Sequence, residues 1–493
     1  MFNKILIANR GEIAVRAVRV CREMGITAVA LYDPSDMSSL HVRLADECVR
    51  VDSPDFFMDG PALVQLAQAR GADAIYPGYG FLAEETDFAQ LCQDAGITFI
   101  GPPPELLQQT RDKLAALARV REAGFLTVES SPDGYGRDDA VELQRAADQM
   151  GYPLVIKSYR GGRGRGARLA LSPEWLAKTI RHGHQSQADY SDWRVYLEKA
   201  ILPAHQISVQ VVGDRFGNLV CLGEREGSIM YHNQKVIEES PAPCLMPDER
   251  ARLWQTAVAI ARLFHYQNVG SVEFLVTDSG DFYFSEIKAR IQVEHPLTEM
   301  RSGVDLLQEQ IRVAAGETLS FRQEDIYLCG WAVLARIYAE DPWRHFLPSP
   351  GRLARLRVPS GPDIRVDTYT YSGCQVPAAY APLFAKLTAW GPERAASIAR
   401  LRQGLADFAV AGIPTNIPLL QQIVAAEGFV NGRYHTGSLK EPALKNGAAA
   451  PHLRDLAVIA AITYIRRHQQ FDPAAPERLL SGWHRESRRI GNP

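Results

Sequence analysis

The sequence predicts an α/β fold in several packed units, and three observations carry that reading. Strand-like apolar runs alternate with helical runs over roughly the first hundred residues. At 493 residues the chain exceeds one ordinary core, so two to four packed units are expected. From about residue 331 the pattern turns strand-rich. Hydrophobic residues make up 46% and charged residues 23%, the balance of a globular chain and not of a disordered or fibrous one.

Taken in order, residues 4–8 read as a short buried strand, Asn9-Arg10-Gly11 as a loop, 12–24 as a helix and 27–32 as a strand. The alternation returns with a helix at 61–70, a strand at 73–76, the loop Pro77-Gly78-Tyr79-Gly80, a helix around 84–94 and a strand at 97–100. This implies a doubly wound parallel sheet. The first strand lacks a following G-x-G-x-x-G, which disfavours a plain dinucleotide-binding reading. Gly101-Pro102-Pro103-Pro104 marks a boundary, and a helix through Lys113 leads into a mixed region at about 113–310 that holds a strand at 153–157. The strand-rich part, 331 to about 440, closes with helices at 392–410 and 417–426. Residues 446–451 read as a linker, followed by an apolar helix at about 452–467, and no internal repeat is present.

Net charge is −3, so no global basic field gathers nucleic acid or coats an anionic membrane. The seven cysteines are odd in number, far apart and without a C-x-x-C pair, which points to neither a disulfide framework nor a zinc site. The first apolar run is too short for a signal peptide and no stretch reaches membrane-spanning length, so a cytoplasmic location is expected.

Three constellations carry chemistry. Gly161, Gly162, Gly164 and Gly166 follow a strand ending in Lys157, and closely spaced glycines let backbone N–H groups approach phosphate oxygens. Alone, the stretch reads equally as a solvated Arg/Gly hairpin, and no Gly-Lys-Ser/Thr makes it a Walker A loop. Glu273 and Glu286 flank the turn Asp278-Ser279-Gly280-Asp281, so a hairpin brings both carboxylates onto one face, where they suit Mg²⁺ held jointly with nucleotide phosphates. A pair of surface glutamates would show the same spacing. Arg290, Gln292 and Glu294 alternate along 290–296, and an extended segment would set all three on one face. Such a face holds a small anion in the guanidinium fork while the carboxylate takes its proton, although a structural ion pair would look the same.

Asn9-Arg10-Gly11-Glu12-Ile13-Ala14, Pro77-Gly78-Tyr79-Gly80-Phe81-Leu82, Gln234 through Glu239, Arg290 through Pro296, and Ala339-Glu340-Asp341-Pro342 through Gly351 together resemble biotin carboxylase. The resemblance covers about residues 1–440, in order and at the right spacing. It implies a Rossmann-like N-terminal domain (1–112), an ATP-grasp domain (113–330) with a mobile lid at about 130–203, and an α+β C-terminal domain (331–440), leaving 441–493 as linker and helical tail. The implied reaction is that ATP phosphorylates bicarbonate to carboxyphosphate and the released CO₂ carboxylates the ureido nitrogen of biotin on a carrier protein.

By the same resemblance, Lys113 and Lys157 hold ATP phosphates under a flap containing Gly161, Gly162, Arg163 and Gly164. Glu198 and Lys199 contact the base, with Gln206 and Asn233 beside the nucleotide. Glu273 and Glu286 bind Mg²⁺ or Mn²⁺. Lys235, Arg290, Gln292 and Val293 seat bicarbonate, Glu294 deprotonates it, and Arg336 stabilises the developing enolate of biotin. Departures fall mostly on the ATP side: Arg160 and Arg163 replace flap glycines, Gln206 and Asn233 replace histidines, and Lys288 replaces an asparagine beside the metal. Arg111 for glycine, Tyr76 for histidine, Tyr338 for asparagine and Ala381 for aspartate add to them.

None of the eight methionines precedes a lysine, so biotin is expected on a separate carrier, with a carboxyltransferase subunit in trans and a homodimer as the assembly. Ser481-Gly482-Trp483-His484 resembles the point where longer acyl-CoA carboxylase subunits continue toward their transferase-contacting and biotin-bearing domains, so the chain resembles such a subunit cut short. The family resemblance implies an acyl-CoA system, expected to be of the acetyl-CoA type in fatty acid metabolism. Two other readings are a non-catalytic regulatory paralogue and an ATP-grasp ligase acting on a different nitrogen acceptor. Lys235, Arg290, Glu294 and Arg336 together speak against the first, and Arg336 against the second.

Overall fold

The computed structural model describes residues 1–136, 138–158, 168–185, 194–231, 234–440 and 460–464. Met1–Leu444 form one compact unit and Lys445–Pro493 a second. Of the second unit 460–464 are described; they are helical, with Ile462 and Tyr464 exposed, and the rest of the helix expected at 452–467 lies outside the described residues.

Strands β1 (Lys4–Ile7), β2 (Thr27–Tyr32), β3 (Glu47–Arg50), β4 (Ala74–Tyr76) and β5 (Thr98–Phe99) form a parallel sheet in the order β3-β2-β1-β4-β5. It is the doubly wound sheet expected. In β1 the alternation of side chains sends Ile5 and Ile7 against α1 (Gly11–Glu23), while Leu6 packs with α3 (Gly60–Ala69) and α4 (Thr86–Asp94) on the other face, α2 being Leu40–Leu44. At the C-terminal edge, Asn9 Nδ2 donates to the carbonyls of Pro77 and Tyr79 at 2.6 and 2.8 Å and ties the two loops together. Gly11 enters α1 at φ +69°, which a side chain would strain. Arg10 reaches Asp36 at 2.7 and 2.8 Å and lies over the rings of Tyr369 and Tyr380, so this part of the motif anchors the first sheet to the strand-rich region.

The single helix expected through Lys113 is two, α5 (Pro104–Arg111) and α6 (Lys113–Glu122). Asp112 divides them because its carboxylate accepts from Ala115 N at 3.0 Å, capping α6. Next come β6 (Leu154–Ser158), β7 (Arg168–Ala170) and β8 (Val195–Lys199), an antiparallel sheet with a small core of its own shared with α7 (Ala140–Met150) and α8 (Pro173–Gln185).

An eight-stranded antiparallel sheet is the main frame. Its members are β9 (His205–Gly213), β10 (Leu219–Tyr231), β11 (Gln234–Ser240), β12 (Asn268–Val276), β13 (Phe282–Lys288), β14 (Trp331–Tyr338) and two further strands, Leu383–Gly391 and Ile364–Thr368. The order is β13-β12-β9-β10-β11-β14, then Leu383–Gly391 and Ile364–Thr368. Pairing of Glu238 with Leu334 carries the sheet unbroken from the mixed region into the strand-rich one. Helix α9 (Pro247–Leu263) covers one part of it, and α10 (His295–Ser302) and α11 (Leu306–Ala314) follow the hairpin β12–β13. Among the described residues no helix is long and apolar enough to cross a membrane.

Candidate functional site

The turn between β12 and β13 sets Glu273 directly opposite Glu286, so the two carboxylates share one face of the sheet. Glu286 is gripped on both sides, by Lys113 Nζ at 3.1 Å and Lys288 Nζ at 2.9 Å. Burial works against its charge, but Lys113, Lys288 and Lys157 outweigh it and hold the carboxyl well below the usual carboxylate range. Glu273 accepts from Gln292 Nε2 at 2.6 Å and from Gln206 Nε2 at 3.3 Å, with Lys235 Nζ at 3.9 Å. Two facing carboxylates with oxygen-only donors fit a hard divalent cation, and Lys288 competes for one of them.

Lys157 ends β6 beside this pair, bonded to Glu198 at 2.6 Å and to Ser285 Oγ at 3.3 Å. Glu198 also accepts from Tyr196 OH, while Lys199 turns to the end of α7 and donates to the carbonyls of Met150 and Gly151. The flap positions Arg160, Gly161, Gly162, Arg163, Gly164 and Gly166, together with Asn233, lie outside the described residues.

Two and three strands away from β9, a second group of charges is assembled on β11 and β14. Glu294 lies between Lys235 Nζ at 2.7 Å and Arg336 Nη2 at 2.9 Å. Arg336 also makes a bidentate pair with Glu238 at 2.7 and 2.6 Å. Burial opposes the charge on Glu294, but Lys235, Arg336 and Arg225 hold it well below the ordinary range, so it is ionised throughout the neutral region. The same carboxylates overcome burial and raise Lys235. Arg290 sits between the two halves, its Nε 3.1 Å from Glu84 and its Nη1 on the carbonyl of Ile291.

The extended conformation expected for 290–296 is not what forms. The chain bends at Arg290 and turns at Val293–Glu294, with His295 N donating to the Gln292 carbonyl and Leu297 N to that of Glu294, before α10 begins with Pro296 in its first turn. Gln292 is fixed from both sides, donating to Glu273 and accepting from the buried Arg225, and the carbonyl of Val293 accepts from Lys386 at 3.1 Å.

Three residues unassigned in the sequence reading complete this arrangement. Glu238 lies inside the quoted run 234–239, but two adjacent glutamates look alike in a sequence. In the strand they face opposite ways, Glu238 to Arg336 and Glu239 to Arg394. Arg225 had no local signal at all, since its partners Gln210, Gln292 and Thr298 come from distant segments. Fully buried Lys386 joins Glu12 at 2.9 Å, which explains the glutamate of the first motif.

A sheet that carries a paired-carboxylate hairpin beside Lys113 and Lys157, with Lys235 and Arg336 further along gripping Glu294, is the frame of an ATP-dependent ligase of the ATP-grasp type. Family models match in register: "Biotin carboxylase, N-terminal domain" over residues 1–107, "Carbamoyl-phosphate synthase L chain, ATP binding domain" over 112–322 and "Biotin carboxylase C-terminal domain" over 334–441. The chain belongs to the biotin carboxylase family. It is 43% identical over 444 residues to a biotin carboxylase of Nostoc sp., covering 89% of this chain and 99% of that one. It is 41% identical to biotin carboxylase 1 of Bacillus subtilis, covering 89% and 98%. Among solved structures, the biotin carboxylase domain dimer of the Hydrogenobacter thermophilus 2-oxoglutarate carboxylase, in complex with MgADP, ADP and bicarbonate, superposes with TM-score 0.87 at 40% identity, covering 91% and 99%. The Campylobacter jejuni biotin carboxylase in complex with βγ-ATP gives 0.84 at 37% identity, covering 89% and 99%.

Proposed function

We propose that this chain uses ATP and bicarbonate to carboxylate biotin presented by a separate carrier protein, with a carboxyltransferase subunit in trans, and that it works as a homodimer in an acyl-CoA carboxylase system. The observation that carries the reading is Glu294, a buried ionised carboxylate held by Lys235 and Arg336, two residues that stand on the same sheet as the Glu273–Glu286 pair.

In this reading Lys113, Lys157 and the flap hold the nucleotide phosphates, with Glu198, Lys199, Gln206 and Asn233 near the rest of the nucleotide. Glu273 and Glu286 hold Mg²⁺, which when bound neutralises charge on the phosphate oxygens. Lys235, Arg290, Gln292 and Val293 seat bicarbonate, and Glu294 removes its proton as the oxygen attacks the γ-phosphorus of ATP, whose bond to the bridging oxygen breaks to release ADP. Arg336 stabilises negative charge on the ureido oxygen of biotin, and Glu238 keeps its guanidinium in place. The chain is read as 1–112, 113–330 with a lid at about 130–203, 331–440, and a linker and tail at 441–493.

Two relatives support a multi-subunit setting by their names: the propionyl-CoA carboxylase alpha chain of Ruegeria pomeroyi at 41% identity and a pyruvate carboxylase subunit from Methanothermobacter thermautotrophicus at 40%. The deciding experiment is ATP turnover measured with and without bicarbonate and with and without free biotin. Turnover should require bicarbonate and rise with biotin. Biotin-independent hydrolysis untouched by Glu294→Gln would overturn the reading.

A further inference from the structure

A second cluster of ligating side chains lies outside the residues assigned above. His205 opens β9, Glu226 lies in β10, and Cys244 follows β11 in the loop before α9. Pairing of Glu226 with Ile207 brings the first two strands together, and one ligand atom from each of the three residues lies within 4.8 Å of the others. His205 Nδ1 is 2.6 Å from Glu226 Oε1, which also accepts from Ser228 Oγ at 2.8 Å. Glu226 Oε2 is buried without an N–H or O–H donor, and the Cys244 thiol is the further group that hydrogen-bonds to this carboxylate. Glu226 itself is 1% exposed. A carboxylate oxygen at that depth with at most a weak thiol donor is costly to bury and gains from a stronger partner.

We propose that His205, Glu226 and Cys244 form a binding site for one divalent cation of the zinc class. Imidazole nitrogen, thiolate sulfur and carboxylate oxygen together are the donor set of zinc, whereas a magnesium site is built from oxygens alone. Bonds of roughly 2.0–2.3 Å in a tetrahedral shell set ligand atoms about 3.3–3.7 Å apart, so the widest pair, at most 4.8 Å, closes by no more than about 1.5 Å, and the 2.6 Å contact of His205 with Glu226 opens by about 0.7 Å or passes to another ligand atom. On binding, the Sγ–H and Nδ1–H protons leave to solvent. Asp278 Oδ1, 3.4 Å from His205 Nε2, then fixes the ring from outside, as carboxylates do behind metal-bound histidines. Asp278 belongs to the turn between β12 and β13, so the ion clips the hairpin bearing Glu273 and Glu286 to the centre of the sheet. Ligands 21 and 18 residues apart escape any search for short metal-binding spacings, which is why the cysteine pattern gave no hint of zinc.

The test uses the full-length chain, stripped with chelator and titrated with Co²⁺ under saturating Mg²⁺, so that oxygen-only sites stay filled. A sulfur-to-cobalt charge-transfer band should grow to a single equivalent and bleach when Zn²⁺ is added. Cys244→Ser should abolish the band, and His205→Gln should weaken cobalt binding by roughly tenfold or more. Zinc should also raise the thermal unfolding midpoint of the wild type and leave that of Cys244→Ser unmoved. Should Cys244→Ser fail to fold, His205→Gln carries the same two readouts. A wild type without the band, or a band that survives in Cys244→Ser and therefore comes from another cysteine, overturns the proposal.

Discussion

The two ends of the working face balance buried charge differently. Around β11 and β14, Lys235, Arg225 and Arg336 stand against Glu238, Glu273 and Glu294, three cations to three carboxylates. Around β13, Lys113, Lys157 and Lys288 stand against Glu198, Glu286 and Glu84, with Arg290 also on Glu84 and Glu273 directly opposite Glu286. The first set is closed on itself, so a substrate must open existing pairs to enter. The second shares its contacts, Glu286 alone meeting both Lys113 and Lys288, so one lysine can turn away without leaving the carboxylate bare.

The most severe test of the contrast is Glu294→Gln. Loss of a general base should lower bicarbonate- and biotin-dependent ATP turnover by about 10²–10⁴-fold, and an unchanged rate would remove the closed set from the chemistry. Stability offers the next test. Arg336→Met leaves Glu238 and Glu294 buried together without their shared guanidinium and should cost about 3 kcal/mol or more in urea unfolding. Lys113→Met, which removes one of several cations around Glu286, should cost on the order of 1 kcal/mol or less. Equal costs would erase the difference between the ends.

A pH titration sharpens the picture at the closed end. Burial pushes Glu340 up to about 7, with the hydrogen bond from Gln234 only partly offsetting it. Because the folded protein then holds this proton more tightly than the unfolded chain, the contribution is fully present below pH 4.5 and is lost as pH rises through 7. Glu340→Gln should remove a decline of roughly 1–2 kcal/mol across that window, read from urea midpoints at several pH values. The smallest effect belongs to the open end. Lys288→Asn frees one oxygen of Glu286, and the Mg²⁺ concentration for half-maximal turnover should fall by about fivefold, a change on the order of 1 kcal/mol. An identical Mg²⁺ dependence would show that the ammonium swings away when nucleotide binds.

What the sequence disclosed was the part governed by short-range periodicity. Four of the five strands of the parallel sheet appeared within a residue at each boundary, while the short edge strand β3, half exposed, left no clear apolar run, and the β12–β13 hairpin could be drawn from its turn alone. Arg290, Gln292 and Glu294 were legible as a group, but not the bend that presents them, because Pro296 and the hydrogen bonds of the following turn override simple alternation. The split at Asp112 was a capping effect that helical periodicity does not register. Arg225 and Lys386 stayed hidden for a different reason: a buried cation is identified by partners distant in the chain, Gln292 for one and Glu12 for the other.

Glu238 and Glu239 are neighbours that serve different masters, one held to Arg336 and the other to Arg394, Trp331 and Tyr434. Their assignment depends only on which side of the strand each one occupies. Losing or gaining a single residue within Gln234–Ser240 would exchange the two roles at once, emptying the guanidinium clamp and unpinning the strand-rich region in the same event. For a lineage of such proteins this makes β11 a stretch where letters can change but length cannot, whereas the turn at Asp278–Asp281 can lengthen at little cost to the ladder on either side. Alignment gaps among its relatives should therefore gather at that turn and avoid the strand.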